Sequence, residues 1–219
     1  MIIVLTGVDG SGKSVVAREL AKHLRRKKVK VRIVWVKSLH TLAYLIYRFY
    51  RKFWGIEYII NPRNRIVEHY TTAWMKRLGT IWGIIEFISV LPWILIVYLY
   101  TFLNYTVICD RFLVDFITTV LLRLRKPLWA WKSIIGRFLI ALHRKIITIH
   151  LRISYSTVLK RRPEIEYNPY ELKTLMTLYS MISKYVNAYE IINEGSSLKA
   201  IVESILNNIG RVKKNSYKN

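Results

Sequence analysis

The chain contains few acidic residues and a single cysteine. Asp and Glu number 13 among 219 residues, against 36 Lys and Arg, so the formal net charge is +23. Because Cys109 has no second cysteine to pair with, an intramolecular disulfide is excluded, and we expect a reducing compartment. The first residues run into a glycine-rich motif instead of a cleavage site, so we expect a cytoplasmic protein.

The scarcity of acid does not make this a disordered basic chain. Hydrophobic residues account for 53% of the sequence and the mean hydropathy is +0.21, which is too apolar for a disordered protein. The positive charge favours nucleic acid or an anionic membrane surface as a partner. If the proteins of the source organism are generally basic, the charge implies neither partner. The basic residues are spread along the chain without a helix-turn-helix or zinc pattern, so we do not expect nucleic acid to be the partner.

Short apolar runs alternate with helical patterns, as in α/β proteins. Residues 2–6 form an apolar run rich in branched side chains, 14–27 carry apolar residues at helical spacing, and 29–36 alternate. A strand, a helix and a strand in one short segment form a βαβ unit, which implies a parallel sheet. Three further strands are predicted at 105–109, 146–153 and 189–193. We therefore predict a five-stranded parallel sheet.

Helical patterns occupy much of the remaining chain. The predicted helices after the second strand cover 39–60, 64–77, 113–125, 128–144, 156–162, 169–188 and 197–209. We expect residues 1–210 to form one domain, followed by a frayed basic tail over 211–219.

A phosphate-binding pattern, G-x-x-x-x-G-K-[ST], lies between the first strand and the first helix. It comprises Gly7, Val8, Asp9, Gly10, Ser11, Gly12, Lys13 and Ser14. Its glycines let successive backbone N–H groups point at phosphate oxygens, and the helix adds the positive end of its dipole. We expect Lys13 to reach the β- and γ-phosphates of ATP and the Ser14 hydroxyl to bind Mg²⁺.

A second charged motif, Asp110-Arg111-Phe112, follows the third predicted strand. Open α/β sheets bind ligands at the carboxyl ends of their strands, so Arg111 would lie across a crevice from Lys13 if the first and third strands are neighbours. Its guanidinium would there offer a two-pronged contact to a phosphate. Asp110 is placed either to hold Mg²⁺ through water or to orient Arg111.

Two neighbouring arginines, Arg161 and Arg162, precede Pro163. A proline at this point favours a mobile lid over a rigid helix interior, and we expect this short lid at about 157–168.

In order along the chain, these motifs resemble those of the thymidylate kinase family. The loop reads G-x-D-G-x-G-K-[ST] with Asp9 as its acid, Asp110-Arg111-Phe112 resembles the family's DR-aromatic motif, and residues 159–164 resemble its arginine-bearing lid. The resemblance extends coarsely over residues 1–209, with its strong motifs confined to a small part of that length.

The resemblance implies a P-loop kinase fold with three α/β/α layers, a homodimer, and transfer of the γ-phosphoryl group of ATP to dTMP with Mg²⁺. It implies catalytic roles for Lys13, Asp9, Arg111, Arg161 and Arg162. It implies acceptor binding by Asp9, Asp110, Arg111 and Phe112, and metal binding by Ser14 and Asp110.

Several thymidylate-specific features are missing. Val36-Lys37-Ser38 stands where the family has Glu-Pro-Gly, Asp115 lies in place of the family's Tyr-Gln pair, and only Arg65 or Arg77 could substitute for its helical arginine. Phosphoryl transfer is therefore expected, while the acceptor stays open. One alternative is a membrane-associated kinase of a lipid-linked acceptor, and another is a basic NTP-binding module that contacts nucleic acid.

A long apolar segment covers residues 78–105, in which Glu86 is the single charge. We expect Pro92 to divide it into two short helices, each too short to cross a bilayer. The segment could form an interfacial membrane hairpin, a homodimer interface or a buried core helix. The basic and aromatic composition of residues 42–56 favours contact with a membrane surface.

Overall fold

The computed structural model describes residues 1–36, 41–69, 73–125, 132–143, 146–162 and 164–216. Its strands are β1 (Ile2–Thr6), β2 (Val31–Trp35), β3 (Tyr58–Ile60), β4 (Ile66–Glu68), β5 (Thr106–Asp110), β6 (Ile147–Arg152) and β7 (Tyr189–Ile192). Five of them form a parallel sheet in the order β2-β5-β1-β6-β7, and β3 pairs with β4 as an antiparallel hairpin. The predicted five-stranded parallel sheet is confirmed.

Helices cover both faces of this sheet. They are α1 (Lys13–Arg26), α2 (Thr41–Trp54), α3 (Ala73–Leu78), α4 (Thr80–Phe102), α5 (Leu113–Leu124), α6 (Ile134–His143), α7 (Tyr155–Arg161), α8 (Pro169–Tyr185) and α9 (Leu198–Ser216). The helices α1 and α9 pack on one face through a core cluster of their own. A larger cluster joins the other face to α2, α4, α5 and α8, which gives the three layers of the predicted α/β/α class.

The register of the sheet brings the two charged motifs together. Strand β1 lies between β5 and β6, with Leu5 beside Asp110 and Thr6 beside His150. The backbone N–H of Arg111 donates to the Leu5 carbonyl at 3.0 Å. The loop that begins at Gly7 and the turn at Arg111 therefore leave the same edge of the sheet side by side.

The predictions of helix over 39–60 and 64–77 are wrong in part. Helix α2 ends at Trp54 and is followed by the β3–β4 hairpin, whose strands are rich in β-branched residues. The Asn61 side chain closes the turn by accepting from the backbone N–H groups of Arg63 at 2.9 Å and Arg65 at 3.0 Å. This local hydrogen bonding competes with helix formation and is a known property of Asn.

Pro92 does not divide the apolar segment, contrary to the prediction. Helix α4 runs unbroken for 23 residues, with Pro92 on its exposed face. The opposite face is held by packing on α2, α3, α5 and β5. Glu86 points into this interface, where it accepts from Arg123 of α5 at 2.6 Å. One face of the segment therefore lies in the protein core, as expected if the segment contains a buried core helix.

The other face of α4 presents a row of apolar side chains at steps of three, four and seven residues. The exposed members are Ile81, Ile84, Ile88, Leu95, Leu99 and Phe102. Within the described chain, α4 is the one helix long and apolar enough to cross a bilayer, and 39% of its most apolar window is buried in the protein.

Smaller differences concern helix ends. Helix α6 begins at Ile134, and the start of the helix predicted over 128–144 lies outside the described residues. Helix α9 continues to Ser216, into the segment predicted to be frayed.

Candidate active site

The phosphate-binding loop joins β1 to α1 in a tight turn. The N–H of Ser11 donates to the Val8 carbonyl at 3.2 Å, and α1 starts directly after Gly12. The Lys13 side chain folds back into the loop, where Nζ donates to the carbonyls of Gly7 and Val8, both at 2.8 Å. The loop thus has the shape that a row of phosphates requires, with its ammonium group at the centre.

Gly7 has no room for a side chain. Its φ is +139°, and an added Cβ would lie 2.5 Å from the Leu151 carbonyl oxygen on the neighbouring strand β6. Gly195 offers a matched comparison, because its φ is +74° but nothing lies within 4 Å of the added Cβ.

We expect Gly7→Ala to lower the free energy of unfolding by about 3 kcal/mol or more, since it adds a backbone clash to a strained φ. Gly195→Ala should cost about 1 kcal/mol, from φ strain alone. Urea unfolding of both variants measures the difference. Equal losses would show that the close approach of the loop to β6 does not constrain Gly7.

The Lys13 ammonium is buried and surrounded by charge. Burial, followed by the nearby Arg111 guanidinium, lowers the pKa of Lys13 to about 8, although Asp9, Asp115 and Asp110 oppose the shift. An ammonium destabilised in this way is ready to gain an anionic partner, because an added phosphate would supply the negative charge that it lacks.

Arg111 forms the opposite wall of the site. Its φ is +73°, in the left-handed region that residues other than glycine seldom adopt. The guanidinium forms an ion pair with Asp9 of the loop and lies 3.4 Å from Asp115 Oδ1. The structure therefore brings Asp9 and Arg111 together, a pairing that the sequence analysis did not predict.

Asp115 is a buried anchor that the sequence analysis noted only as a departure from the family pattern. Its carboxylate accepts from the Tyr179 hydroxyl at 2.8 Å and from the Phe112 backbone N–H at 3.2 Å. Burial raises the pKa of Asp115, although Arg111 and Lys13 act to lower it. An acid three residues after Phe112, the residue that precedes α5, is typical of a helix start and was the signal that could have identified Asp115.

The two residues proposed to serve a metal both lie close to Lys13, Ser14 as the next residue and Asp110 near enough to act on its charge. Ser14 is exposed in the first turn of α1. Asp110 is buried at the end of β5, and its Oδ1 has no hydrogen-bond partner among the described residues. An unpaired buried carboxylate oxygen near a lysine is a suitable acceptor for the water shell of Mg²⁺, so these residues fit the ion.

The two predicted lid arginines lie against the phosphate-binding loop. Arg161, at the end of α7, donates to the Gly10 carbonyl at 3.3 Å and to the Asn193 carbonyl at 3.0 Å. A Cβ added to Gly10 would lie 3.1 Å from Arg162 Cγ. Pro163 lies outside the described residues. Both guanidinium-bearing side chains therefore lie at the phosphate-binding loop.

Asn193 was not predicted from the sequence. It follows β7, and its amide donates to the Ser11 carbonyl at 2.8 Å. The bond ties the end of β7 to the phosphate-binding loop.

A cleft of about 550 Å³ opens between these groups. Its charged lining consists of Asp9, Lys13, Arg111, Arg161 and Arg162. Trp35, Leu198 and Ile201 add apolar surface, and Gly12 and Ser14 line it from the loop. Phe112 lies elsewhere: it is fully buried at the start of α5, with its ring 6.3 Å from that of His143. Its part in acceptor binding stays a prediction.

Comparison with solved structures shows a P-loop kinase fold. Thymidylate kinase from Ehrlichia chaffeensis superposes with a TM-score of 0.54 at 14% identity, over 96% of this chain and 98% of that one. Deoxyadenosine kinase from M. mycoides, with dCMP and dCDP bound, gives 0.53 at 17% identity over 96% and 100%. The same enzyme with bound dATP gives 0.53 at 15% identity, over 96% and 100%.

A family model described as chromatin associated protein KTI12 matches residues 1–53. A comparison with curated protein sequences finds no match. The predicted P-loop kinase fold is confirmed, and the sequence comparisons leave the substrate open.

Proposed function

We propose that this protein transfers the γ-phosphoryl group of ATP to a nucleoside monophosphate, with dTMP as the first acceptor to test. The observation that carries the proposal is the single cleft in which Lys13 of the phosphate-binding loop and Arg111 face common space. Cations on both sides of a cleft are what transfer between two phosphate-bearing substrates requires, because catalysis is positioning and charge stabilisation.

On the donor side, the loop N–H groups would hold the phosphates of ATP and Lys13 would neutralise the transferring group. The Lys13 ammonium would exchange its bonds to the Gly7 and Val8 carbonyls for phosphate oxygens. Arg161 and Arg162 reach the same loop and would add positive charge as the γ-phosphoryl group moves. Ser14 and Asp110 would hold Mg²⁺, which supplies further charge neutralisation on the phosphates.

On the acceptor side, the Asp9 carboxylate is paired with the Arg111 guanidinium, which is the group that an acceptor phosphate would bind. We infer that the acceptor phosphate replaces the Asp9 carboxylate on Arg111, while Asp115 and Tyr179 keep the guanidinium in place. Asp9 would then be free to accept a hydrogen bond from an acceptor hydroxyl. A monophosphate satisfies this exchange because it replaces one anion by another.

The affinity for ATP should depend on pH because of Lys13. Its pKa is about 8 without nucleotide, and bound phosphates would raise it, so ATP binds with uptake of a proton above that pH. We expect the Kd to rise by up to tenfold per pH unit above about pH 8, where the phosphates of ATP are already ionised. Isothermal titration between pH 7 and 10 measures this slope, and Lys13→Arg should flatten it. A slope shared by both proteins would assign the titration to another group.

An acceptor panel tests the proposed reaction. ADP formation from ATP and Mg²⁺ is measured with dTMP, other nucleoside monophosphates, deoxynucleosides and a phosphate-terminated lipid in detergent, each against an acceptor-free blank. Stimulation by dTMP supports the leading proposal. Stimulation only by the lipid would favour the lipid-linked acceptor. If no acceptor in the panel raised ADP formation above the acceptor-free blank, the result would contradict monophosphate transfer.

A further inference from the structure

Helix α2 has one face that packs on the protein and another that is exposed to solvent. Its inward face, which includes Ala43 and Tyr47, packs against α4 and the hairpin. Thr41 and Ala43 also bond to Ser89 of α4 at 2.9 Å each, which fixes the orientation of α2. The outward face is therefore a defined feature of the fold.

That outward face combines apolar and basic side chains. Leu42, Leu45, Phe49 and Phe53 recur at steps of three and four residues and are exposed. Phe49 and Phe53 pack with ring centroids 4.5 Å apart, although each remains about 60% exposed. Arg48 and Lys52 are exposed beside this row. We call these six residues the α2 outer face.

The α2 outer face opens into a groove of about 780 Å³ toward the β3–β4 hairpin. The groove is lined by Leu45, Arg48, Phe49, Arg51, Lys52, Gly55, Ile56 and Tyr58. Arg51 is paired with Glu68 at 3.0 Å. In the described part of the chain, no carboxylate lies within ion-pair distance of Arg48 or Lys52.

We propose that the α2 outer face and its groove bind the surface of an anionic lipid bilayer. Aromatic and aliphatic side chains would enter the headgroup region, and Arg48 and Lys52 would meet lipid phosphates, as in interfacial helices. The net charge of +23 gives the whole chain a long-range attraction to such a surface.

The positive charge of the α2 outer face favours an anionic bilayer, and not a second copy of this chain, as its partner. A twofold interface through this face would bring two copies of the same positively charged patch together. The Arg48 and Lys52 cations of one copy would then face a patch of like charge on the other. Nucleic acid would satisfy the cations but would leave Leu42 and Leu45 without an apolar partner.

The test is flotation of the full-length protein with vesicles. Neutral phosphatidylcholine vesicles are compared with vesicles containing about one third phosphatidylglycerol. We expect at least tenfold tighter binding to the anionic vesicles, weakened by salt. Arg48→Glu with Lys52→Glu should lower that binding at least tenfold. Arg26→Glu with Lys27→Glu, at the exposed end of α1, changes the net charge equally and should lower it less than threefold.

A second pair of variants tests the apolar part. Phe49→Ser with Phe53→Ser should lower binding at least fivefold, while Met181→Ser with Ile192→Ser, at exposed positions elsewhere, should not. Thermal unfolding confirms that each variant is folded.

Three results would overturn the proposal. Equal losses in the α1 and α2 charge variants would mean that net charge alone attracts the protein. An absence of binding to anionic vesicles, together with a dimer that Phe49→Ser and Phe53→Ser dissociate, would make the face a protein interface. Binding of duplex DNA by the wild type but not by the α2 charge variant, together with no binding to anionic vesicles, would make the face a nucleic-acid site.

Discussion

Replacing Lys13 by Met should lower the rate of phosphoryl transfer by about a thousandfold. Lys13 is the one cation that lies within the phosphate-binding loop, so its loss removes charge from the transferring group, and a single such contact contributes about 10²- to 10³-fold. The measurement is kcat with ATP, Mg²⁺ and the best acceptor of the panel.

Lys22→Met is the matched control, since Lys22 is exposed on the same helix and its one ion-pair partner among the described residues is Glu19, at 4.0 Å. It should leave kcat within twofold. Lys13→Met should also fold, because it removes a charge whose burial lowers its pKa to about 8. Turnover of Lys13→Met within tenfold of the wild type, in a folded protein, would contradict the role of the loop.

Replacing Arg111 by Gln should lower kcat/KM for the acceptor by about 10²- to 10³-fold while changing the Kd of ATP less than threefold. Arg111 meets Asp9 and Asp115 and lies on the wall opposite Lys13, so its loss affects the acceptor phosphate first. Initial rates at varied acceptor concentration and titration with ATP measure the two quantities. A loss of ATP binding with an unchanged acceptor KM would reverse the assignment.

Arg111 also has a structural role, which a double variant separates from catalysis. Arg111→Gln removes the ion-pair partner of the buried Asp115, leaves only the more distant charge of Lys13 to compensate it, and should cost about 3 kcal/mol of stability or more. Adding Asp115→Asn removes the unpaired charge and should restore part of that stability without restoring activity. Arg18→Gln, at an exposed position of α1, is the control and should change neither. Recovery of activity in the double variant would mean that Arg111 acts only through folding.

The sheet and the phosphate-binding loop could be predicted because short-range patterns determine them. The apolar run of β1 ends at Gly7, and the helical spacing begins beside Lys13. A general rule, that parallel strands present their carboxyl ends at one edge, put Arg111 and this loop on the same edge of the sheet. That β1 and β5 are direct neighbours was implied by the resemblance to P-loop kinases and not by the sequence pattern.

The remaining features depend on contacts between distant segments. Asn193 meets Ser11 across 182 positions of the sequence, and no local pattern distinguishes it from other polar residues after a strand. Tyr179 reaches Asp115 only because α8 packs on α5. Pro92 lies on a free face of α4, where packing of the opposite face keeps the helix continuous.

A compound that joins adenosine to thymidine through five phosphates tests the central claim most directly, since it occupies both phosphate positions at once. If donor and acceptor phosphates meet between Lys13 and Arg111, calorimetry should give one compound per chain and an affinity at least a hundredfold above that of ATP. Arg111→Gln should remove most of that gain. Binding no tighter than ATP, unchanged by Arg111→Gln, would contradict a shared cleft for the two substrates.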